Sequence, residues 1–212
     1  MAPSNAVRTS SAVPTAEAAL IVVDVQRGFD DATHWGPRNN PGCEDNIAAL
    51  VHHWRVLEWP VVFVRHDSTE PGSPLQPGLP GNAFKSALTG EPDLLVRKST
   101  HSSFGGSPSL EGWLRDNRLA TIVVCGITTN HCCETTGRHG SDLGFDVVFV
   151  LDATHTFDRL SQDGIRLRAQ HLAAVTATNL AGEFATVMST AQAIECLSGR
   201  PRFGGRAADR LS

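Results

Sequence analysis

Four short runs of almost unbroken hydrophobicity constrain this chain more than any other feature: residues 19–25 (ALIVVDV), 61–65 (VVFVR), 120–126 (ATIVVCG) and 146–151 (DVVFVL). They are rich in β-branched residues. A strand with one wet face alternates apolar and polar side chains, so continuous hydrophobicity means burial on both faces, as in a parallel sheet covered by helices. Residues 94–97 and 184–188 are weaker strand candidates. Between the runs, 44–57, 109–116, 131–143, 161–178 and 190–197 carry helical spacing, and Ser109 followed by Glu111 is a helix-start signal. The alternation predicts a three-layer, doubly wound α/β fold with a mainly parallel six-stranded sheet.

In that architecture ligands bind beyond the carboxyl ends of the strands. Asp24 lies near the end of the first run, Lys98 just after the 94–97 run, and Cys132 six residues beyond Gly126. Three reactive groups far apart in sequence thus fall on one rim. Carboxylates are rarely buried unless paired, and lysine is ordinarily solvated. Together an acid, an ammonium and a thiol make a plausible nucleophilic set. Each alone has an ordinary reading: Asp24 as a loop cap, Cys132 as a small core residue. In VVCGITTNHCCETTG (123–137) a strand gives way to a tight turn and then a helix near His131. A thiol in that first helical turn would feel the positive end of the helix dipole, which favours thiolate. The free N–H groups there can receive an oxyanion.

Composition narrows the partners. A chain of 212 residues buries roughly 70% of its unfolded surface, so one domain needs no disulfide or metal staple. The net charge of -4 gives no electrostatic case for nucleic acid or an anionic membrane. An odd count of five cysteines without framework spacing reads as a reducing, cytoplasmic setting. Residues 1–17, rich in Ser, Thr, Pro and Ala, lack an apolar signal core and read as a loose arm. Residues 18–197 form the domain, and the Gly- and Arg-rich 198–212 reads as a frayed tail. No run approaches the ~20 apolar residues of a membrane span. The Pro- and Gly-dense segment 67–90 reads equally as a lid or as a structural excursion or oligomer contact.

Three segments, VVDVQRGF (22–29), KSTHSSF (98–104) and VVCGITTNHCCETT (123–136), resemble in order the signatures of the isochorismatase-like cysteine hydrolases. The resemblance extends from about Leu20 to about Met188. It implies that Cys132, in Thr129-Asn130-His131-Cys132, is the nucleophile and that Cys133 points into the core. It implies that Asp24 takes the thiol proton and returns it to a leaving amine, while Lys98 holds the thiolate and orients Asp24. It further implies a cis peptide at Ile127-Thr128, with the Thr128 and Cys132 N–H groups aimed at an oxyanion, and a homo-oligomer, dimer or tetramer. The expected activity is hydrolysis of a non-peptide amide C–N bond through a thioester, acting on a small molecule.

Nicotinamidases of the family bind metal through Asp-x-His-x-x-His after the second strand. Here that stretch reads Arg65-His66-Asp67-Ser68-Thr69-Glu70 and the next histidine is His101, so no catalytic metal and no other cofactor is expected. WGPRNNPGCE (35–44), RHDSTEPGSPLQPG (65–78) and LDATHTFD (151–158) are most similar to the streptothricin hydrolases, which open a cyclic amide (lactam) in a cationic antibiotic and so confer antibiotic resistance. Vinyl ether hydrolysis of the isochorismatase type, a nicotinamidase or carbamoyl-amide activity, and a non-enzymatic thiol redox sensor using Cys132 and Cys133 are the rivals. A Cys132–His131 dyad is a competing mechanism, although neighbours in a helix do not face each other. His155 and Phe157 are read as pocket lining. Phe29, Trp35 and Phe104 are read as apolar walls or core. Gln26 and Asn130 are candidates for orienting the triad, with helix capping as the alternative for Asn130.

Overall fold

The computed structural model describes residues 17–198. The expected arm and tail lie outside the described residues, apart from their innermost positions. The elements run β1 (Ala18–Val23), α1 (Ala32–Trp35), α2 (Cys43–Val56), β2 (Val61–His66), β3 (Leu94–Lys98), α3 (Leu110–Asp116), β4 (Thr121–Ile127), α4 (Glu134–Asp142), β5 (Asp146–His155), β6 (Arg159–Leu160), β7 (Arg166–Leu167), α5 (Ala169–Leu180), β8 (Thr186–Met188) and α6 (Thr190–Ser198). The central sheet has the order β3-β2-β1-β4-β5-β8, and every pairing in it is parallel.

All six residues of β1 are buried, and the period of two explains why. Leu20 and Val22 point into a layer with Ile47, Leu50 and Trp54 of α2 and Leu197 of α6. Ile21 and Val23 point the other way, into a layer with Leu110 and Leu114 of α3 and Leu180 of α5. Each such side chain contributes roughly 1.5–3 kcal/mol by leaving water. Ser109 caps α3 by accepting from the Gly112 N–H at 3.1 Å. No helix among the described residues is long and apolar enough to cross a membrane.

The chain reverses its direction of winding between β1 and β4, so the crevice for a ligand opens where these two adjacent strands end. There Gly126 adopts φ 130°, and a Cβ on it would lie 2.0 Å from the Val23 carbonyl oxygen. Only glycine permits that approach. β5 runs four residues past its apolar run; beyond a register shift, Thr154 and His155 pair with Gly126 and Ile127. This carries the 154–157 segment onto the rim.

Two helices differ from expectation. The expected helix 161–178 is a β6–β7 hairpin followed by α5. Gly164 turns the hairpin at φ 75°, and the Asp158 carboxylate accepts the Ala169 N–H at 2.8 Å, starting the helix only there. The expected helix 131–143 begins as a wide π-helical turn, Thr129–Cys133, before α4. Segment 67–90 packs as a brace: Leu75 is buried, and Asn82 Nδ2 donates to the carbonyls of His66 and Leu75.

Candidate active site

Asp24 follows β1 directly, in the left-handed region at φ 52°, a conformation that aspartate tolerates better than most residues. Its main chain is held by the Asp24 N–H donating to Val64 O at 2.9 Å and by Gln26 N–H donating back to Asp24 O at 2.8 Å. Lys98 ends β3 and reaches across the end of β2. Its Nζ donates to Asp24 Oδ2 at 2.6 Å and to the Thr100 carbonyl at 3.0 Å, and lies 3.5 Å from Cys132 Sγ. Both charged side chains of this pair are fully buried. The other carboxylate oxygen, Asp24 Oδ1, is buried and has no hydrogen-bond partner of good geometry.

Lys98 is held above the usual lysine value: burial works against its charge, but Asp24 and then Cys132 outweigh that. Burial, reinforced by the Asp24 charge and only partly opposed by Lys98, pushes the Cys132 thiol up to about 12. The expected dipole-stabilised thiolate is therefore corrected. The site thus places a thiol, disfavoured as thiolate, beside a carboxylate whose second oxygen has no hydrogen-bond partner of good geometry.

The turn that carries Cys132 is fastened at several points. Cys133 N–H donates to Thr128 O at 3.2 Å, and Thr129 Oγ1 donates to Thr154 Oγ1 at 2.8 Å. Asn130 Oδ1 accepts from Thr156 Oγ1, so this side chain ties the turn to the end of β5. The Ile127-Thr128 peptide is cis. Cys133 is fully buried in the layer with α3 and α5.

A cavity of about 380 Å³ opens beside the turn, lined by His34, Trp35, Thr128, His131, Thr156, Phe157, Asp158, Arg159 and Leu160. None of segment 67–90 is among those residues. Trp35 and Phe157 stack at 5.5 Å as its apolar wall, and Phe29 backs them, 4.9 Å from Trp35. Two expected lining residues are elsewhere. Phe104 stacks on Phe145 at 5.7 Å and packs beside Gly140, half-buried against the edge of the core. His155 is fully buried behind Phe157; the inward alternation of β5 takes it there. His131 does line the cavity, but its Nε2 faces Arg159 Nη1 at 3.2 Å rather than the thiol. Burial and then Arg159 lower its pKa.

Comparison with known proteins gives the family. A sequence profile of the Isochorismatase domain matches residues 18–192. The chain belongs to the isochorismatase family. This isochorismatase-family protein is 38% identical over 177 residues to YrdC of Bacillus subtilis (strain 168), an uncharacterized family member, covering 83% of this chain and 94% of YrdC. It is 31% identical to Nicotinamidase 3 of Arabidopsis thaliana (66% and 74% covered). It is 28% identical to the ureidoacrylate amidohydrolase RutB of Variovorax paradoxus (strain S110) (68% and 71% covered). Among solved structures, a hydrolase of the isochorismatase family from Chromobacterium violaceum superposes with a TM-score of 0.82 at 36% identity, covering 90% of this chain and 96% of that one.

Sequence reading of this family member weighed His66 only as a metal ligand and did not place it beside Lys98. It pairs in register with Lys98 on the neighbouring strand, and its Nδ1 lies 3.2 Å from Lys98 Nζ. Gln26 grips it from both sides, accepting the His66 N–H at 2.8 Å and donating to its carbonyl at 3.0 Å. Asp67 is committed instead to Arg97 at 2.9 Å and Arg65 at 3.2 Å. The signal was available: His66 closes an apolar run on the same rim. The cavity residues His34, Asp158 and Arg159 gave no such signal, because they sit in a one-turn helix, a two-residue strand and the chain before it, too short to carry a pattern.

Proposed function

We propose that the protein is a cysteine amidohydrolase that cleaves a non-peptide C–N amide bond of a small molecule. The observation that carries this reading is the free, buried Asp24 Oδ1 beside a neutral thiol, with the Asp24 charge balanced by Lys98 at 2.6 Å. Asp24 takes the thiol proton as Cys132 Sγ attacks the carbonyl. The main-chain N–H groups of Thr128 and Cys132 receive the oxyanion. Asp24 then protonates the leaving amine, and water, deprotonated by the same carboxylate, hydrolyses the thioester. Vinyl ether hydrolysis needs acid catalysis but no nucleophilic thiol, so it makes poorer use of this set.

The substrate reading follows from charge. Asp158 is spent on capping α5, whereas Arg159 has no carboxylate within 4 Å among the described residues, and its guanidinium faces the His131 ring at 3.2 Å. A small amide carrying a carboxylate, with a flat body against Trp35 and Phe157, suits such a cavity. RutB, by its name, acts on an amide of that kind. The second reading, a streptothricin-type lactam, is supported by the 35–44, 65–78 and 151–158 segments, but its cationic substrate gains nothing from Arg159.

The test is a substrate panel of ureido acids, other N-carbamoyl amines, nicotinamide, a streptothricin-type lactam and isochorismate, with intact-mass trapping of the acyl-enzyme. Turnover of an amide with an acyl adduct on Cys132 is expected. Turnover of isochorismate alone would reverse the reading. Arg159→Ala should raise KM for a carboxylate-bearing amide about 10-fold or more, the value of a charge-assisted hydrogen bond, and leave a neutral amide unchanged.

A further inference from the structure

Asp24, His66 and Cys132 each offer one metal-ligating atom, and these atoms all lie within 4.8 Å of one another. The trio combines a carboxylate oxygen, an imidazole nitrogen and a sulfur, which is the donor mixture of zinc. A tetrahedral Zn²⁺ with bonds of about 2.0–2.3 Å holds its ligands roughly 3.3–3.7 Å apart, so the three need to close by about 1 Å. Two further observations point inwards. Asp24 Oδ1 is a fully buried oxygen with no hydrogen-bond partner of good geometry. His66 presents Nδ1 to Lys98 as an acceptor at 3.2 Å, and the Gln26 amide fixes its main chain on both sides. What occupies the middle of the trio is an ammonium: Lys98 Nζ lies 2.6 Å from Asp24, 3.2 Å from His66 and 3.5 Å from Cys132.

We propose that Asp24, His66 and Cys132 form an inhibitory site for a borderline-soft divalent cation of the Zn²⁺ class, and that Lys98 is the resident cation that guards it. The inference goes beyond the hydrolase reading and does not depend on the substrate. Binding breaks the S–H bond of Cys132: the thiol gives its proton to solvent, the sulfur lone pair goes to the metal, and Lys98 withdraws from the trio. The nucleophile is then a ligand and cannot attack, while removal of the metal restores the thiol. The guard is effective because a metal has to displace an ammonium from a buried carboxylate and also release a thiol proton. Lys98 thereby gains a second role besides charge balance, keeping a three-donor pocket free for chemistry.

The probe is Cd²⁺, whose thiolate complex is seen by its ligand-to-metal charge-transfer absorption, titrated into the full chain. Lys98→Met should bind one Cd²⁺ per chain with that absorption, at least about 100-fold more tightly than the unmodified protein at pH 7. His66→Leu in the same background should weaken binding about 10-fold or more, as loss of one ligand does. Cys132→Ser in that background should abolish the absorption, which separates this site from the partly exposed Cys196. Absence of the absorption in folded Lys98→Met, or its survival in the Cys132→Ser double variant, overturns the proposal. If Lys98→Met does not fold, the unmodified chain decides. Its Cd²⁺ affinity should rise about 10-fold per pH unit for each proton released between pH 6 and 8, and a pH-independent affinity overturns the proposal.

Discussion

Two buried lysines sit near the same rim of the sheet, each with a carboxylate at 2.6 Å, and they serve opposite ends. Lys85 joins Asp30 at 2.6 Å and Glu44 at 2.7 Å, while Arg38 grips both oxygens of Glu44 at 2.7 and 2.6 Å. Two cations meet two anions and Glu44 is fully engaged. Glu44 is held at about 2: burial alone would raise it, but the hydrogen bonds from Arg38 and Lys85 win. The Lys98 cluster has one cation, one anion with an unused oxygen, and a thiol pushed the other way, to about 12. A satisfied network holds structure together; an incompletely satisfied one is poised to react.

Removing the central group from each cluster should separate the two roles. Cys132→Ala should lower turnover by at least about 10⁴-fold, as loss of a nucleophile does. Stability should change by less than about 1 kcal/mol, since the thiol is neutral and makes no strong native bond. Steady-state kinetics and urea unfolding together check this, and full activity in the variant would move the nucleophile elsewhere.

The reverse is expected of Glu44→Gln. It leaves the half-buried Arg38, and Lys85 which keeps Asp30, with a neutral partner, a loss of about 1–3 kcal/mol, while kcat changes less than about 10-fold because Asp24, Lys98 and Cys132 are untouched. The sign of the pH dependence follows from the lowered value. A carboxylate depressed from 4.5 to about 2 adds about 3 kcal/mol that is fully present above pH 4.5 and is lost as pH falls through 2. Urea midpoints should fall across that window in the native chain and stay flatter in Glu44→Gln. A parallel fall in both would remove Glu44 from the account.

The two clusters were not equally legible in the sequence. Asp24, Lys98 and Cys132 each follow an apolar run, so their convergence required only the rule that strands of a parallel sheet end on one side. The Arg38–Glu44–Lys85–Asp30 cluster draws most of its members from irregular chain between elements, where no periodicity marks what faces what. The His66–Lys98 contact needed the β2–β3 register, which hydrophobic pattern does not specify. The hairpin at 159–167 was misread because Ile165, Ala169 and Leu172 fall at i, i+4 and i+7, the spacing of a helix face, yet Ile165 is exposed at 62%. Gly164 at positive φ was the available warning.

The smallest expected effect at neutral pH tests the weak point of the structural cluster. His155 is fully buried, and neither ring nitrogen makes a hydrogen bond of good geometry; the Thr156 main chain and Glu44 Oε1, at 3.9 Å, are among its polar neighbours. Burial first, then Arg38, holds it down to about 3. Its ordinary value is 6.5, so between 6.5 and 3 the unfolded chain binds a proton that the folded chain refuses. Stability therefore falls by about 1.4 kcal/mol per pH unit on acidification in that range. His155→Leu removes both the unpaired nitrogens and this proton linkage while keeping contact with Phe157. At pH 7 the variant should be within about 1 kcal/mol of the native chain or slightly more stable, since an unsatisfied buried group is lost. By pH 4.5 its advantage should widen to about 2–3 kcal/mol. This window opens two units above that of Glu44, so urea midpoints at pH 7, 5.5 and 4.5 resolve the two groups. If native chain and variant lose stability in step from pH 6.5 to 4.5, His155 is not held neutral, and the cluster around Glu44 is less complete than its distances indicate.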